Sequence, residues 1–268
     1  MGELGLLLVW PALVGYGEAA LAYLGETVRP GRSSGLSGFA IWGVRLGWVA
    51  QTALLTAQAV RADGFPWATW AASLNLFVWM CVGAYLIWGC RAPFRLLGLG
   101  VMPLAAALLA LAWAAGGLRA ARAAGTGDAF LVFHVGLVLA AFAGFVLAAA
   151  LAALYLWQER RLKRRESGVL RLRTPALATL DILSGRSIAV ALAALTAGVG
   201  IGFVRLETDG GGVDATMAVT LLAWALYAAY LVLRYRAGWR GRRTAYLALA
   251  GFALVLVVRV GLTPVSHF

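Results

Sequence analysis

The sequence predicts an all-α integral membrane protein with eight transmembrane helices. Of its 268 residues, 62% are hydrophobic and only 13% are charged, and the mean hydropathy is +0.85. A soluble domain is about half apolar and about a quarter charged, and a disordered chain is poorer still in apolar residues. Because a membrane-spanning helix takes about 20 apolar residues, a chain of this length holds about seven or eight spans. We therefore expect one polytopic domain over residues 1–268, without a separate soluble domain.

Eight apolar segments, each ended by charged or turn residues, support this count. The first segment follows Glu3 and has no basic region before it, so we expect a retained span rather than a cleaved signal peptide. The fifth segment is long enough to project from the bilayer, and the sixth is short. The predicted spans are 4–24, 38–60, 70–90, 97–117, 129–157, 187–204, 214–234 and 244–263.

The loops between these segments differ in charge, which predicts the orientation. Most of the 23 lysines and arginines follow segments one, three, five and seven. Cytoplasmic loops are the ones enriched in basic residues. We therefore expect both termini outside and the loops 159–186 and 234–243 in the cytosol. The basic residues of the opposite loops are Arg61, Arg119, Arg122 and Arg205.

The net charge of +12 is explained by this orientation, so we expect no nucleic-acid partner. The basic stretch 159–165, ERRLKRR, is typical of a solvated helix end, and contact with anionic lipid is the alternative.

The two histidines of the chain fall on the same predicted side of the membrane. His134 lies near the outer end of the fifth segment, and His267 follows the outer end of the eighth. Neutral imidazole is a common ligand of haem iron, and two facing imidazoles form a six-coordinate site. The alternative is that His134 is an interfacial helix residue and His267 belongs to a loose tail.

Five further residues are candidates for roles near such a site or within the bilayer. Glu18 and Arg45 lie in neighbouring spans at similar depth, which predicts a structural ion pair. Arg259 could pair with a haem propionate, or its side chain could reach the head groups. Trp67 and Trp70 could cover a flat ligand, and the alternative is an aromatic belt at the interface.

Most other kinds of catalytic or binding site are missing from the sequence. It contains no Walker A loop, no HExxH, no CxxCH and no plausible Ser/His/Asp set. Cys81 and Cys90 are not spaced as a CxxC pair, and no disulfide framework is indicated. The GVGIG stretch at 198–202 indicates helix packing rather than a phosphate loop. We therefore do not expect an enzyme.

From about residue 40 to the end, the chain resembles the CcsA/CcmC haem-handling proteins of cytochrome c assembly. Within them it is most similar to the HemX/YpjD-like branch of eight-span proteins. Its tail places His267 where the family has a C-terminal outer histidine. The other stretches that carry the resemblance are DGFPWATWAASL at 63–74, the histidine-led helix 134–163, AWALYAAYL at 223–231 and GWRGRR at 238–243.

The chain departs from the larger members of this family at two places. Their outer loop before span seven is rich in tryptophan, whereas FVRLETDGGGVDATM at 203–217 has none; Asp214 keeps its spacing to Trp224. Those members also have an inner pair of histidines. Gln51 and Val232 stand at these two positions here, so the resemblance implies an outer site without an inner one.

The resemblance implies a non-enzymatic protein that binds haem b at its outer face for cytochrome c assembly. His134 and His267 would be the axial ligands, Arg259 a propionate partner, and Trp67 or Trp70 a cover of the ring. Its partners would be haem, the lipid bilayer and other cytochrome c assembly proteins. The alternative is a HemX-like regulator of haem synthesis that binds glutamyl-tRNA reductase through its cytosolic loops. Small-molecule transport unrelated to haem is a third hypothesis.

Overall fold

The computed structural model describes residues 7–28, 34–61, 67, 69–89, 92–116, 129–165, 175–209 and 215–256. Within these ranges the chain is all-helical, as predicted, with one 3-10 helix at Ala92–Leu97 and eight α-helices. The α-helices are α1 Val9–Val28, α2 Ser34–Arg61, α3 Trp70–Gly89, α4 Gly98–Ala114, α5 Ala129–Lys163, α6 Leu177–Asp209, α7 Ala215–Tyr235 and α8 Arg242–Leu256.

Each predicted segment corresponds to one of these helices, but the sixth was wrong in its length. The predicted span 187–204 is part of a helix of 33 residues that begins at Leu177. The predicted cytosolic loop 159–186 is correspondingly shorter, because α5 continues to Lys163. The apolar pattern placed Asp181 and Arg186 in a loop. In the structure, Asp181 is hydrogen-bonded by groups from α7 and from the start of α8, so the helix continues past it.

Among the described residues, five helical stretches are long and apolar enough to cross a membrane, as judged by length and composition. By this measure the chain is a multi-pass helical membrane protein. The stretch within α5, Phe130–Lys163, is 34 residues long, and an 18-residue window within it has a mean hydropathy of 2.6. At 1.5 Å per residue it is about 50 Å long, against about 30 Å of hydrocarbon. The other four stretches are Trp70–Ile87, Phe94–Ala114, Leu177–Val204 and Met217–Tyr235.

The chain divides into two compact units, and the first contains α1 to α4. It comprises residues 1–126 and 158–175. Small residues let α1 and α2 approach closely: a Cβ added at Gly15 would overlap the carbonyl oxygen of Gly43, and one at Gly47 would lie 3.3 Å from Ala12. Such contacts between small residues are typical of helices that pack within membranes.

The second unit comprises residues 127–157 and 176–268, and therefore most of α5 with α6, α7 and α8. Here too α5 and α6 approach closely, because a Cβ added at Gly144 would lie 2.8 Å from that of Ala191. Tyr227 of α7 is fully buried. Its ring stacks on Phe145 at 3.7 Å between centroids and covers Gly251 of α8. The aromatic ring of Tyr227 thus joins three helices of this unit.

Candidate functional site

His134 lies on α5 in the second unit, and one of its ring nitrogens is hydrogen-bonded to α6. Its Nδ1 lies 2.7 Å from the carbonyl oxygen of Gly198. Because a carbonyl only accepts, Nδ1 carries the hydrogen in the neutral ring, and Nε2 keeps its lone pair. Within the described part of the chain, Nε2 has no hydrogen-bond partner. A histidine that binds a metal through one nitrogen usually donates the other N–H to a carbonyl or carboxylate.

The position of the imidazole depends on a glycine one turn further along α6. A Cβ added at Gly202 would lie 2.7 Å from Cε1 of His134 and 3.0 Å from Nδ1. A Cβ added at Gly198 would lie 2.9 Å from Cγ2 of Val138. These two glycines confirm that GVGIG packs helices. The sequence analysis missed their second role, which is to hold His134; the four-residue glycine spacing was the available signal.

These contacts fit a haem ligand. The imidazole is half-buried, its tautomer is set by Gly198, and its position is set by Gly202. The remaining lone pair on Nε2 is the donor atom that haem iron takes from histidine. His267 and Arg259 lie outside the described residues, so their predicted roles as second ligand and propionate partner stay predictions.

Trp67 and Trp70 belong to the first unit, where both are half-buried and Trp70 begins α3. Their role as a cover over haem stays a prediction.

Glu18 and Arg45 lie on helices that pack against each other, α1 and α2. Both residues are exposed. The Oε2 atom of Glu18 is 4.0 Å from the position of a Cβ added at Gly43, and the guanidinium of Arg45 lies 5.1 Å from the ring centroid of Trp42. The predicted ion pair between Glu18 and Arg45 stays a prediction.

Gln51, which stands at one inner histidine position of the larger relatives, is fully buried. Its Oε1 accepts from the hydroxyl of Tyr16 at 2.7 Å, and its Nε2 donates to Oδ1 of Asn75 at 2.9 Å. Asn75 in turn donates to Oε1 of Gln58 at 3.1 Å. Both polar atoms of the Gln51 amide are thus used within the protein. Val232, at the other inner position, is an aliphatic residue with 59% of its surface exposed, so neither residue is suited to bind iron.

The sequence analysis also missed a charged cluster in the second unit. Asp181 of α6 and Arg234 of α7 form an ion pair of 2.8 Å, with side chains only 11% and 9% exposed. The same carboxylate accepts from the backbone N–H of Gly241 at 2.9 Å and from the hydroxyl of Thr244 at 3.1 Å. The Arg234 side chain lies against Gly185, where an added Cβ would come 2.5 Å from Nε. This cluster, which we call the Asp181 clamp, joins α6, α7 and the start of α8.

Comparison with known proteins agrees with the resemblance. The family described as "Cytochrome C assembly protein" matches residues 67–266. The chain is 28% identical over 240 residues to the cytochrome c biogenesis protein CcsA of Parasynechococcus marenigrum, covering 78% of this chain and 79% of the relative. It is 28% identical over 252 residues to the protein of that name from Synechococcus sp. strain RCC307, covering 81% and 80%. The family match includes well over half of the chain. The protein therefore belongs to the cytochrome c assembly protein family.

Proposed function

We propose that the protein takes part in cytochrome c assembly by binding haem, without catalysing a reaction. The relatives are named for cytochrome c biogenesis, and the family match extends from Trp67 across the second unit. The observation that carries the proposal is the state of His134. Its Nδ1–H is donated to Gly198, and its Nε2 lone pair has no partner in the described ranges.

In this proposal the haem is of the b type and both axial ligands are imidazoles. His134 supplies Nε2 from a position held by Gly198 and Gly202, and His267 supplies the second nitrogen. Arg259 pairs with a propionate, since a guanidinium matches a carboxylate in charge and shape. Ligation by imidazole alone suits reversible binding, because no covalent bond to the protein is formed.

The proposed topology puts this site on the outer side of a bacterial inner membrane. Eight spans, one for each α-helix, with both termini outside would bring His134 and His267 to the same surface. The distribution of basic residues supports this direction, since lysine and arginine concentrate in residues 160–173 and in the α7–α8 loop. Other cytochrome c assembly proteins would be the partners that deliver or receive haem. Regulation of glutamyl-tRNA reductase stays a prediction.

The test is the visible spectrum of the purified protein with added haem. The wild type should show a six-coordinate low-spin spectrum, and His134→Ala and His267→Ala should each lose it. Phe133→Ala is the matched control, since Phe133 precedes His134 on α5 and is 65% exposed. A low-spin spectrum that survives in both histidine variants would contradict the proposed ligands.

A further inference from the structure

The connection between α7 and α8 is short and strongly basic. We call residues 236–243, RAGWRGRR, the arginine loop. No aspartate or glutamate follows Asp214 in the sequence, so the loop has no acidic neighbour along the chain. Its arginines are all exposed: Arg236, Arg240, Arg242 and Arg243.

The backbone of the arginine loop is held by specific contacts. Gly238 and Gly241 have φ angles of 67° and 72°, a region that favours glycine. The N–H of Trp239 donates to the carbonyl of Leu233 at 3.1 Å, which turns the chain back onto the end of α7. At the other end of the loop, Asp181 accepts from the N–H of Gly241 at 2.9 Å. The loop is therefore built as a turn of defined shape.

The carboxylate nearest to the arginine loop does not neutralise its exposed charges. Asp181 is occupied by the two guanidinium nitrogens of Arg234, at 3.1 and 2.8 Å, as well as by Gly241 and Thr244. The Asp181 clamp thus fixes the backbone of the loop, while the negative charge of Asp181 is paired with Arg234, which lies outside the loop. The exposed guanidinium groups of Arg240 and Arg243 are therefore available to an external anion.

Two aromatic residues place the loop at the surface of the bilayer. The guanidinium of Arg243 lies 5.6 Å from the ring centroid of Trp239, and that of Arg242 lies 5.6 Å from the ring of Tyr246. Tryptophan and tyrosine are enriched at the depth of the lipid head groups. The last residue of the apolar stretch in α7, Tyr235, directly precedes the loop. We therefore expect the arginines of this loop to lie at the depth of the lipid phosphates.

We propose that the arginine loop is a binding site for the phosphate-bearing head group of an anionic phospholipid, with Arg240 and Arg243 as its main contacts. A guanidinium group matches phosphate oxygens in geometry as well as in charge. A lipid is favoured over a soluble anion because the adjacent span and the interfacial aromatic residues hold the loop against the membrane. The site is independent of haem, so it can be tested whether or not haem binds.

The experiment measures phospholipid retained by the purified full-length protein. Protein in vesicles of phosphatidylglycerol and phosphatidylcholine is extracted, and bound lipid is counted by native mass spectrometry. Arg240→Gln/Arg243→Gln should lower phosphatidylglycerol binding by about tenfold and leave phosphatidylcholine unchanged. The matched control is Arg164→Gln/Arg165→Gln, which removes the same charge from exposed residues after α5 and should retain binding.

Equal losses in the two double variants would overturn the site, because they would show general attraction of a basic protein to anionic lipid. No loss in the loop variant would overturn it as well. Release of the lipid by millimolar inorganic phosphate would show a small-anion site instead, and binding of an acidic peptide in preference to lipid would indicate a protein partner. Both results contradict the lipid assignment.

Two substitutions in the Asp181 clamp separate the effect of the shape of the arginine loop from the effect of charge. Asp181→Asn removes a negative charge, so simple Coulomb attraction predicts stronger binding of phosphatidylglycerol. A site that depends on the shape of the loop predicts weaker binding. Thr244→Val removes a hydrogen bond to Asp181 without changing charge, and it should also weaken binding if the protein remains helical by circular dichroism. Stronger binding in Asp181→Asn with wild-type binding in Thr244→Val would contradict the proposal.

Discussion

Gln51 in the first unit and His134 in the second differ in how their polar atoms are used. In the first unit, Tyr16, Gln51, Asn75 and Gln58 form a chain of hydrogen bonds in which the amide of Gln51 is fully used. In the second unit, His134 donates from Nδ1 to a carbonyl and retains an acceptor on Nε2. A satisfied network rigidifies the helices that it joins, whereas an atom left with a lone pair can bind a ligand. The comparison shows that His134 keeps a nitrogen able to bind a ligand, whereas both polar atoms of the Gln51 amide are already used.

The second unit also contains a satisfied network, the Asp181 clamp, and it differs from that of the first unit by being charged. The Asp181 carboxylate accepts from one guanidinium, one backbone N–H and one hydroxyl. A buried ion pair is stable only when its polar atoms are all hydrogen-bonded, because burying two ions costs several kcal/mol before their attraction is counted. The clamp is therefore expected to be the most sensitive polar contact of the molecule.

The largest effect on stability should come from Asp181→Ala. It leaves Arg234 with a nearly buried charge and no carboxylate, and removing one partner of such a pair costs about 3 kcal/mol or more. Thermal unfolding in detergent, followed by circular dichroism, measures the change. Glu159→Ala is the control, since its pair with Lys163 is at the surface, where the lysine is 62% exposed, and such pairs contribute less than about 1 kcal/mol.

The neutral network of the first unit should be the next most sensitive. Gln51→Leu leaves the hydroxyl of Tyr16 and the amide of Asn75 without their partner, which costs about 2 kcal/mol. The same unfolding measurement applies, with Thr56→Ala as control because, within the described ranges, the Thr56 hydroxyl bonds only the carbonyl of Thr52 on its own helix. If Gln51→Leu were as stable as the wild type, the hydrogen-bonded chain would not hold α1, α2 and α3 together.

Haem binding should respond to a change that does not touch any proposed ligand. Gly202→Ala places a methyl group 2.7 Å from Cε1 of His134, so the ring must move and haem affinity should fall by about tenfold, as for other residues that orient a metal ligand. A haem titration followed by absorbance measures this. Gly200→Ala is the matched control, because nothing lies within 4 Å of a Cβ added at Gly200. Equal haem affinities in Gly202→Ala and Gly200→Ala would show that Gly202 does not hold the ring of His134 in position.

The smallest effect is expected at Trp224. Its indole donates to the hydroxyl of Thr196 at 2.9 Å, but the residue is 36% exposed. Trp224→Phe keeps the aromatic packing and removes this hydrogen bond, so stability should fall by about 0.5–1 kcal/mol. A loss as large as that of Asp181→Ala would mean that the hydrogen bond joins α6 and α7 more strongly than its exposure indicates. Thermal unfolding of Trp224→Phe and Asp181→Ala under the same conditions distinguishes a small loss of stability from a large one.

Much of the architecture could be predicted because it follows from local patterns. Apolar runs of sufficient length indicate helices, and each of the eight predicted segments overlaps one α-helix. The predicted end of a helix is less certain where a charged residue has a distant partner. The apolar pattern predicts a loop at Asp181 because its partners, Arg234, Gly241 and Thr244, lie 53 to 63 positions away. Nothing in the residues around Asp181 indicates those contacts.

In the candidate site, too, local patterns could be predicted and contacts between distant residues could not. That His134 is a candidate ligand follows from there being two histidines in a membrane chain. That its Nδ1 is bonded to Gly198 and its ring rests on Gly202 depends on how α5 and α6 pack. Likewise, the sequence shows that Gln51 stands where the larger relatives have an inner histidine. It does not show that Gln51 is hydrogen-bonded to Tyr16 and Asn75.

Composition and the lengths of apolar runs by themselves determined a multi-pass helical membrane protein, because the bilayer imposes one span length on every such chain. Tertiary structure alone decided which polar atoms are satisfied and which are left to bind a ligand. Hydrogen bonds extend only about 3 Å, so they depend on the register and separation of helices that are remote in sequence. The close approach of α5 and α6 at their glycines is the contact that sets the state of His134.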